Sequence, residues 1–174
     1  EMMKVFGAQD ETAFLRMALN AEEGSLQAQI NAVAEGESAQ IKLDRDYTEN
    51  IVIWDGQTIS LDLNGYVLSP DTQKRIGNAT INTITVYGTL VLQNSGNENG
   101  AVANRASAGP AERVRGVAVR SGGEFVLQSG VIENFHVTGN GGGVLVEEHG
   151  VFTIEGGSIR NNTATQNGGG VFTY

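Results

Sequence analysis

Four groups of residues in this sequence have types and spacings that could do chemistry. Glu147-Glu148-His149 sets two carboxylates beside an imidazole, the types used in acid–base catalysis and metal ligation. Asp44, Asp46, Glu49 and Asp55 supply hard oxygen ligands of the kind that Ca²⁺ takes, at a spacing that fits no known Ca²⁺ loop. Asp62 and Glu155 follow equivalent strand-like segments and would be the carboxylates of a glycoside-cleaving pair. Lys74, Arg75, Arg105 and Arg113 belong to a basic stretch, since six of the 11 Lys and Arg residues fall within 74–120. Such a stretch would receive an anionic group.

The first three groups are better read as solvated surface. Glu147-Glu148-His149 lies in a turn between Val146 and Gly150, and His136 has no catalytic neighbour in its segment. With only two scattered His and no Cys, neither a serine triad, nor thiol chemistry, nor a Cys-based zinc site is available. Asp62 and Glu155 fall three repeats apart, too far for a carboxylate pair. No catalytic residue and no cofactor are therefore assigned, and Ca²⁺ at the acidic cluster is the one metal the residue types suggest. Aromatic residues are few, no Trp or Tyr ladder is visible, and Trp54 follows a core-like segment as a structural residue would. The basic group is the expected ligand-binding set: Lys74, Arg75, Arg105 and Arg113.

These residues must be positioned by a repeat. Gly116-Val117-Ala118-Val119, Gly143-Val144-Leu145-Val146 and Gly170-Val171-Phe172-Thr173 recur at 27 residues. Between them, Gly123-Glu124-Phe125-Val126-Leu127 is echoed by Gly150-Val151-Phe152-Thr153-Ile154, and Val131-Ile132-Glu133-Asn134 by Ser158-Ile159-Arg160-Asn161. A fixed period of this length signals one structural unit stacked on itself. Upstream, Ile51-Val52-Ile53 and Ile84-Thr85-Val86 extend the first column at spacings of 33, and Ile59-Ser60-Leu61 and Leu90-Val91-Leu92 extend the second. Alternation points the outer two residues of each triplet inward, leaving Val52, Thr85, Ala118, Leu145 and Phe172 outward. An antiparallel sandwich would also use short strands and turns, but it does not explain three elements at constant offsets. The expected fold is all-β, a right-handed single-stranded parallel β-helix of about five coils over residues 39–174.

Residues 1–38 read differently. Asp10 to Leu19 has helical patterning, and Ser25 is an N-cap for a second helix with Leu26, Ile30 and Val33 on one face and Gly36 as its stop. This segment is the expected N-terminal helical cap. No counterpart follows at the other end, so the chain either continues beyond Tyr174 or associates end to end. The extra residues of the longer repeats map to 69–82 and 94–114. Both precede a first-column strand, so they should emerge at one corner and carry the basic group there. Asn134, Asn161, Asn140 and Asn167 suit corners, where Asn tolerates left-handed φ.

Charge limits the partners. Net charge is −9, with 12 acidic and 4 basic residues in 1–62 against 8 and 7 in 63–174. An acidic chain is a poor partner for nucleic acid or an anionic membrane surface. No segment is long and apolar enough to insert in a membrane as a helix.

The segments SGVIENFHVTGNGGGVLV and GGSIRNNTATQNGGGVFT resemble right-handed parallel β-helix repeats of bacterial surface proteins in the pectin-lyase-like superfamily. The Asn-rich stretch followed by Gly-Gly-Val is similar to the repeat of chlamydial polymorphic outer-membrane proteins. AQIKLDRDYTENIVI and TISLDLNGYVL look like first coils of such proteins, and LQAQINAVAEG like their capping helix. The resemblance implies a secreted or cell-surface location. It also implies a non-catalytic, adhesin-like β-helix that binds a glycan or protein partner or presents loops to it. A polysaccharide lyase or glycoside hydrolase of the same fold, or a structural fibre or tailspike module, is the alternative that this superfamily implies.

Overall fold

The computed structural model describes residues 22–105 and 113–174. The helix expected at Asp10–Leu19 lies outside the described residues. The second expected helix is α1, Leu26–Asn31, and its Ser25 N-cap accepts a hydrogen bond from the Ala28 amide at 3.1 Å. Leu26 and Ile30 are fully buried and Val33 nearly so, all packed into the main core. Gly36, at φ +81°, turns the chain into the first strand.

From there the chain is almost entirely strand. Three connected strands come first: β1 (Ser38–Lys42), β2 (Tyr47–Thr48) and β3 (Ile51–Ile53). They are followed by β4 (Thr58–Asp62), β5 (Val67–Ser69) and β6 (Ile81–Val86), then β7 (Thr89–Gln93), β8 (Ala101–Ala103) and β9 (Val114–Val119). The next set is β10 (Glu124–Leu127), β11 (Val131–Glu133), the short β12 (His136–Val137) and β13 (Val144–Val146). The last is β14 (Val151–Ile154), β15 (Ser158–Arg160), β16 (Thr163–Ala164) and β17 (Val171–Thr173). The strands are dealt in rotation to three sheets. Sheet A is β1-β4-β7-β10-β14, and sheet B is β2-β5-β8-β11-β15. Sheet C runs β3-β6-β9-β13-β17, with β12 and β16 beside it. All pairings are parallel except the single-residue contact of β12 with β9.

The register follows the sequence columns. Ile51, Ile84, Val117, Val144 and Val171 align in sheet C. Ile59, Leu90, Phe125 and Phe152 align in sheet A. In sheet B, Leu68, Val102, Ile132 and Ile159 form the third column. These side chains alternate with outward ones and meet in one aliphatic core. Burial of that continuous column supplies the main driving force, at about 1.5–3 kcal/mol for each large aliphatic side chain removed from water.

Two backbone details keep the stack tight. A methyl group at Gly88 would lie 2.2 Å from the Trp54 carbonyl oxygen, and one at Gly123 would lie 2.4 Å from that of Val86. Glycine is required there because one rung's turn rests on the rung below. Asn134 and Asn161 take left-handed φ of 65° and 55°. Asn140 and Asn167 serve differently: the Asn167 backbone and side-chain amides both donate to Asn140 Oδ1, at 3.0 and 3.1 Å.

The structure corrects one expectation. The segment 94–114 does not emerge as one loop, because β8 divides it. From Leu90 to Val102 the ladder advances 12 residues, against 7 from Phe125 to Ile132, so part of the extra length sits at the corner between sheets A and B. The rest lies between sheets B and C, where the spacing is 16 from Leu68 to Ile84 and 15 from Val102 to Val117, against 12 from Ile132 to Val144. Two of the outward positions, Ala118 and Leu145, lie outside the main core yet are themselves buried. A methyl group at Gly141 would lie 2.9 Å from Leu145 Cβ, so the chain just before β13 folds over this residue.

Candidate functional site

The outer face of sheet C is where exposed aromatic and charged side chains converge. Its ladder continues one residue past each strand, with the amides of Tyr87, Arg120, Glu147 and Tyr174 donating to Ile53, Val86, Val119 and Val146. Trp54, Tyr87, Arg120, Glu147 and Tyr174 therefore form one row, running along the stack. Trp54 is covered, and its indole N–H donates to Asn31 Oδ1 at 2.9 Å. The row then opens: Tyr87 is 41% and Tyr174 71% exposed. Three rungs separate the two tyrosines, roughly 14 Å at the spacing of neighbouring strands. Arg120 and Glu147 pair between them. Phe172 meets Tyr174 edge to face, with ring centroids 5.0 Å apart.

Sequence reading missed this row. Its members follow strands instead of lying within them, and they differ in type. The signal available was positional, since each is the residue immediately after an inward Ile, Val or Thr of the first column.

Arg115 lies in β9 on the same outer face. The ladder between β6 and β9 skips Thr83 and Gly116, so Ile81 and Val114 rejoin the core while Asn82 and Arg115 face outward. Arg115 is 8% exposed. Its Nε donates to the Gly141 carbonyl at 2.7 Å, Nη1 to Asn82 Oδ1 at 2.8 Å and Nη2 to the Asn140 carbonyl at 2.9 Å. Burial, with the nearby Arg120 charge adding to it, pushes its pKa down to about 10. The guanidinium thus straps the 138–143 loop against the sheet.

Lys74, Arg75 and Arg113 lie in the connections that lead into β6 and β9 of sheet C, and Arg105 follows β8 of sheet B. Lys74 ends a single 3-10 turn, Thr72–Lys74, and sits 3.7 Å from Asp71 in an exposed ion pair. Arg75 is half-buried, and its Nε is buried without a hydrogen-bond partner. Arg113 Nη1 donates to the Asn78 carbonyl at 2.7 Å, and its own carbonyl accepts from Ile81 N–H at 2.8 Å. Arg113 thereby ties the end of the 70–80 connection to the start of β9. Arg105 is exposed, two residues after β8.

The acidic residues have structural partners. Glu49 accepts from the Leu26 and Gln27 amides at 2.9 and 3.1 Å, capping α1. Asp44 accepts from the Tyr47 hydroxyl at 2.8 Å, Asp46 from the Val67 amide at 2.8 Å and Asp55 from the Gly56 amide at 3.0 Å. Among the described residues, no three His, Asp or Glu side chains form a metal-ligand set. Asp62 is buried beside Lys42 and accepts from Ser95 Oγ at 2.6 Å, the Ser95 amide at 2.8 Å and the Asn64 amide at 2.9 Å. Burial opposes its charge, but these hydrogen bonds and Lys42 outweigh it, and the carboxyl lies below its ordinary value. Glu155 accepts instead from Gln128 Nε2 at 3.0 Å on the exposed surface. Glu148 and His149 are exposed in a turn, and His136 Nδ1 pairs with Thr163 Oγ1.

Comparison with protein-family models, with curated proteins and with solved structures gives no match for this chain.

Proposed function

We propose that the chain is a right-handed single-stranded parallel β-helix of about five coils. In this reading it is a non-catalytic, extracellular surface module that binds an extended acidic polysaccharide across the outer face of sheet C. The helix reading is supported by the rotation of consecutive strands through three parallel sheets and by the right-handedness of parallel crossovers. The surface location is supported by the resemblance of the repeats.

The row from Tyr87 to Tyr174 is the observation that carries the binding reading. Two exposed aromatic faces roughly 14 Å apart suit flat sugar rings along an extended chain. The Arg120–Glu147 pair between them offers donors and acceptors to hydroxyl groups. The segments that lead from sheet B to sheet C are rich in cations against an otherwise acidic chain: by sequence, 70–80 and 104–113 hold Lys74, Arg75, Arg105 and Arg113 against two acids, Asp71 and Glu112. That favours anionic sugars and makes binding sensitive to salt. The carboxylate in the row, Glu147, is engaged by Arg120, which supports binding over bond cleavage.

Binding to polygalacturonate, alginate and heparin, measured by calorimetry at low and high salt, tests the reading. Tyr87→Ala with Tyr174→Ala should weaken binding about tenfold or more. Ser at Lys74, Arg75, Arg105 and Arg113 should abolish the salt-sensitive part. Unchanged affinity in both variants would sink the proposal, and release of unsaturated products would replace it with a lyase.

A further inference from the structure

The loop at 138–143 is strapped to its sheet by Arg115, whereas the longer connection from β5 to β6 is tied down at its two ends. At one end the Asp71 amide donates to Asn50 Oδ1 at 3.0 Å, and the Asn50 side-chain amide donates to the Asp71 carbonyl at 2.9 Å. At the other end the Asn78 carbonyl accepts from Arg113 Nη1 at 2.7 Å. Among the described residues, none from 72 to 77 hydrogen-bonds outside 71–79. The order within the span is local: one 3-10 turn, Thr72–Lys74, and a 3.2 Å bond from the Ala79 amide to the Ile76 carbonyl. Ile76 is 86% exposed, and a methyl group added at Gly77 would meet nothing within 4 Å.

A protease draws several residues of its substrate into an extended strand along its cleft, so it cuts where the backbone can leave the fold. The span 72–78 can do so, and its side chains select the protease. Lys74 and Arg75 stand together at its centre, with uncharged Gln73 before them and Ile76 after. The Lys74 side chain is exposed and pairs loosely with Asp71 at 3.7 Å, an ion pair that costs little to exchange for an acidic specificity pocket. Basic residues on the strands do not offer this. Lys42, Arg115 and Arg160 lie within β1, β9 and β15, and the Arg120 amide is bonded to the Val86 carbonyl.

We propose that 72–78 is a cleavage site for a protease of trypsin-like specificity, which hydrolyses the Lys74–Arg75 bond and leaves the nicked chain folded. Water is the co-reactant: its oxygen joins the Lys74 carbonyl carbon to give a carboxylate, the C–N bond breaks, and the Arg75 nitrogen takes the proton as a new α-amine. The two pieces stay together because all three sheets span the nick. β3 pairs with β6, β4 with β7 and β5 with β8, and apolar residues from both pieces share the main core.

Trypsin at trace concentration, added to the native full chain, tests this. A new amino terminus at Arg75 is expected, formed at least about a hundredfold faster than cuts after Arg120 or Arg160, which require the ladders to open. Chains cut at this bond alone, identified by mass, should elute from a sizing column with the uncut chain and separate into two pieces in urea. A Lys74–Arg75 bond cut no faster than those after Arg120 and Arg160, or pieces that part without denaturant, would overturn the proposal.

Discussion

The first and last rungs are built from the same column residues but finished differently. At the first rung, Gln27 acts as a substitute strand: its Oε1 accepts from the Val52 amide at 2.7 Å and its Nε2 donates to the Val52 carbonyl at 3.1 Å. Buried Gln57 locks the arrangement. It accepts from the Trp54 amide at 3.0 Å and donates to the Ile30 and Val33 carbonyls at 2.9 and 2.6 Å. On the last described rung, Phe152 stacks on Phe125 with ring centroids 5.0 Å apart. A repeat carries the means to continue itself but not the means to stop. Stopping took a different kind of segment, in which side-chain amides imitate a backbone partner.

The largest expected effect tests the inner rungs against the last. Phe125→Ala should cost about 4 kcal/mol, because it opens a cavity in a dry interior, and Phe152→Ala less than half of that. Urea denaturation of both variants measures the difference, and equal losses would mean that the last rung is as buried as the others. Next comes Gln57→Ala, which removes the buried acceptor of the Trp54 amide and the donor to the Ile30 and Val33 carbonyls, and should cost about 3 kcal/mol. Gln27→Ala should follow at about 2 kcal/mol, with faster hydrogen exchange at Val52 as its local signature.

The smallest effect involves pH. Asp62 joins Lys42 on the first rung to Ser95 on the third. Its folded value is lowered, so its stabilisation is complete above the unfolded value of about 4 and is lost as pH falls through the folded value. Asp62→Asn should cost about 1 kcal/mol at neutral pH and flatten the acid limb of the stability curve. An unchanged acid limb would show that the carboxylate does not hold these rungs together.

Legibility in the sequence tracked regularity. The sheet A and sheet C columns could be read because Ile, Val, Leu and Phe recur at matched offsets. β8 could not, since Ala101-Val102-Ala103 is short, small and set between irregular turns. The aromatic row escaped because Tyr87, Arg120, Glu147 and Tyr174 share a position, not a residue type. Burial of Leu145 escaped because an outward strand position says nothing about a loop folding over it, and Arg115 ties that loop down through the Asn140 and Gly141 carbonyls. The basic group was legible as composition, but its division between exposed Arg105 and the tethered Arg113 was not.

By itself the sequence determined the strand columns, their facing and the α1 cap, because periodic apolar burial and capping are local and repeat with the chain. The tertiary structure alone decided which residues from successive rungs share a row and which corner each insertion leaves from. Those outcomes depend on register between distant segments, and register is set by the packing of the whole stack.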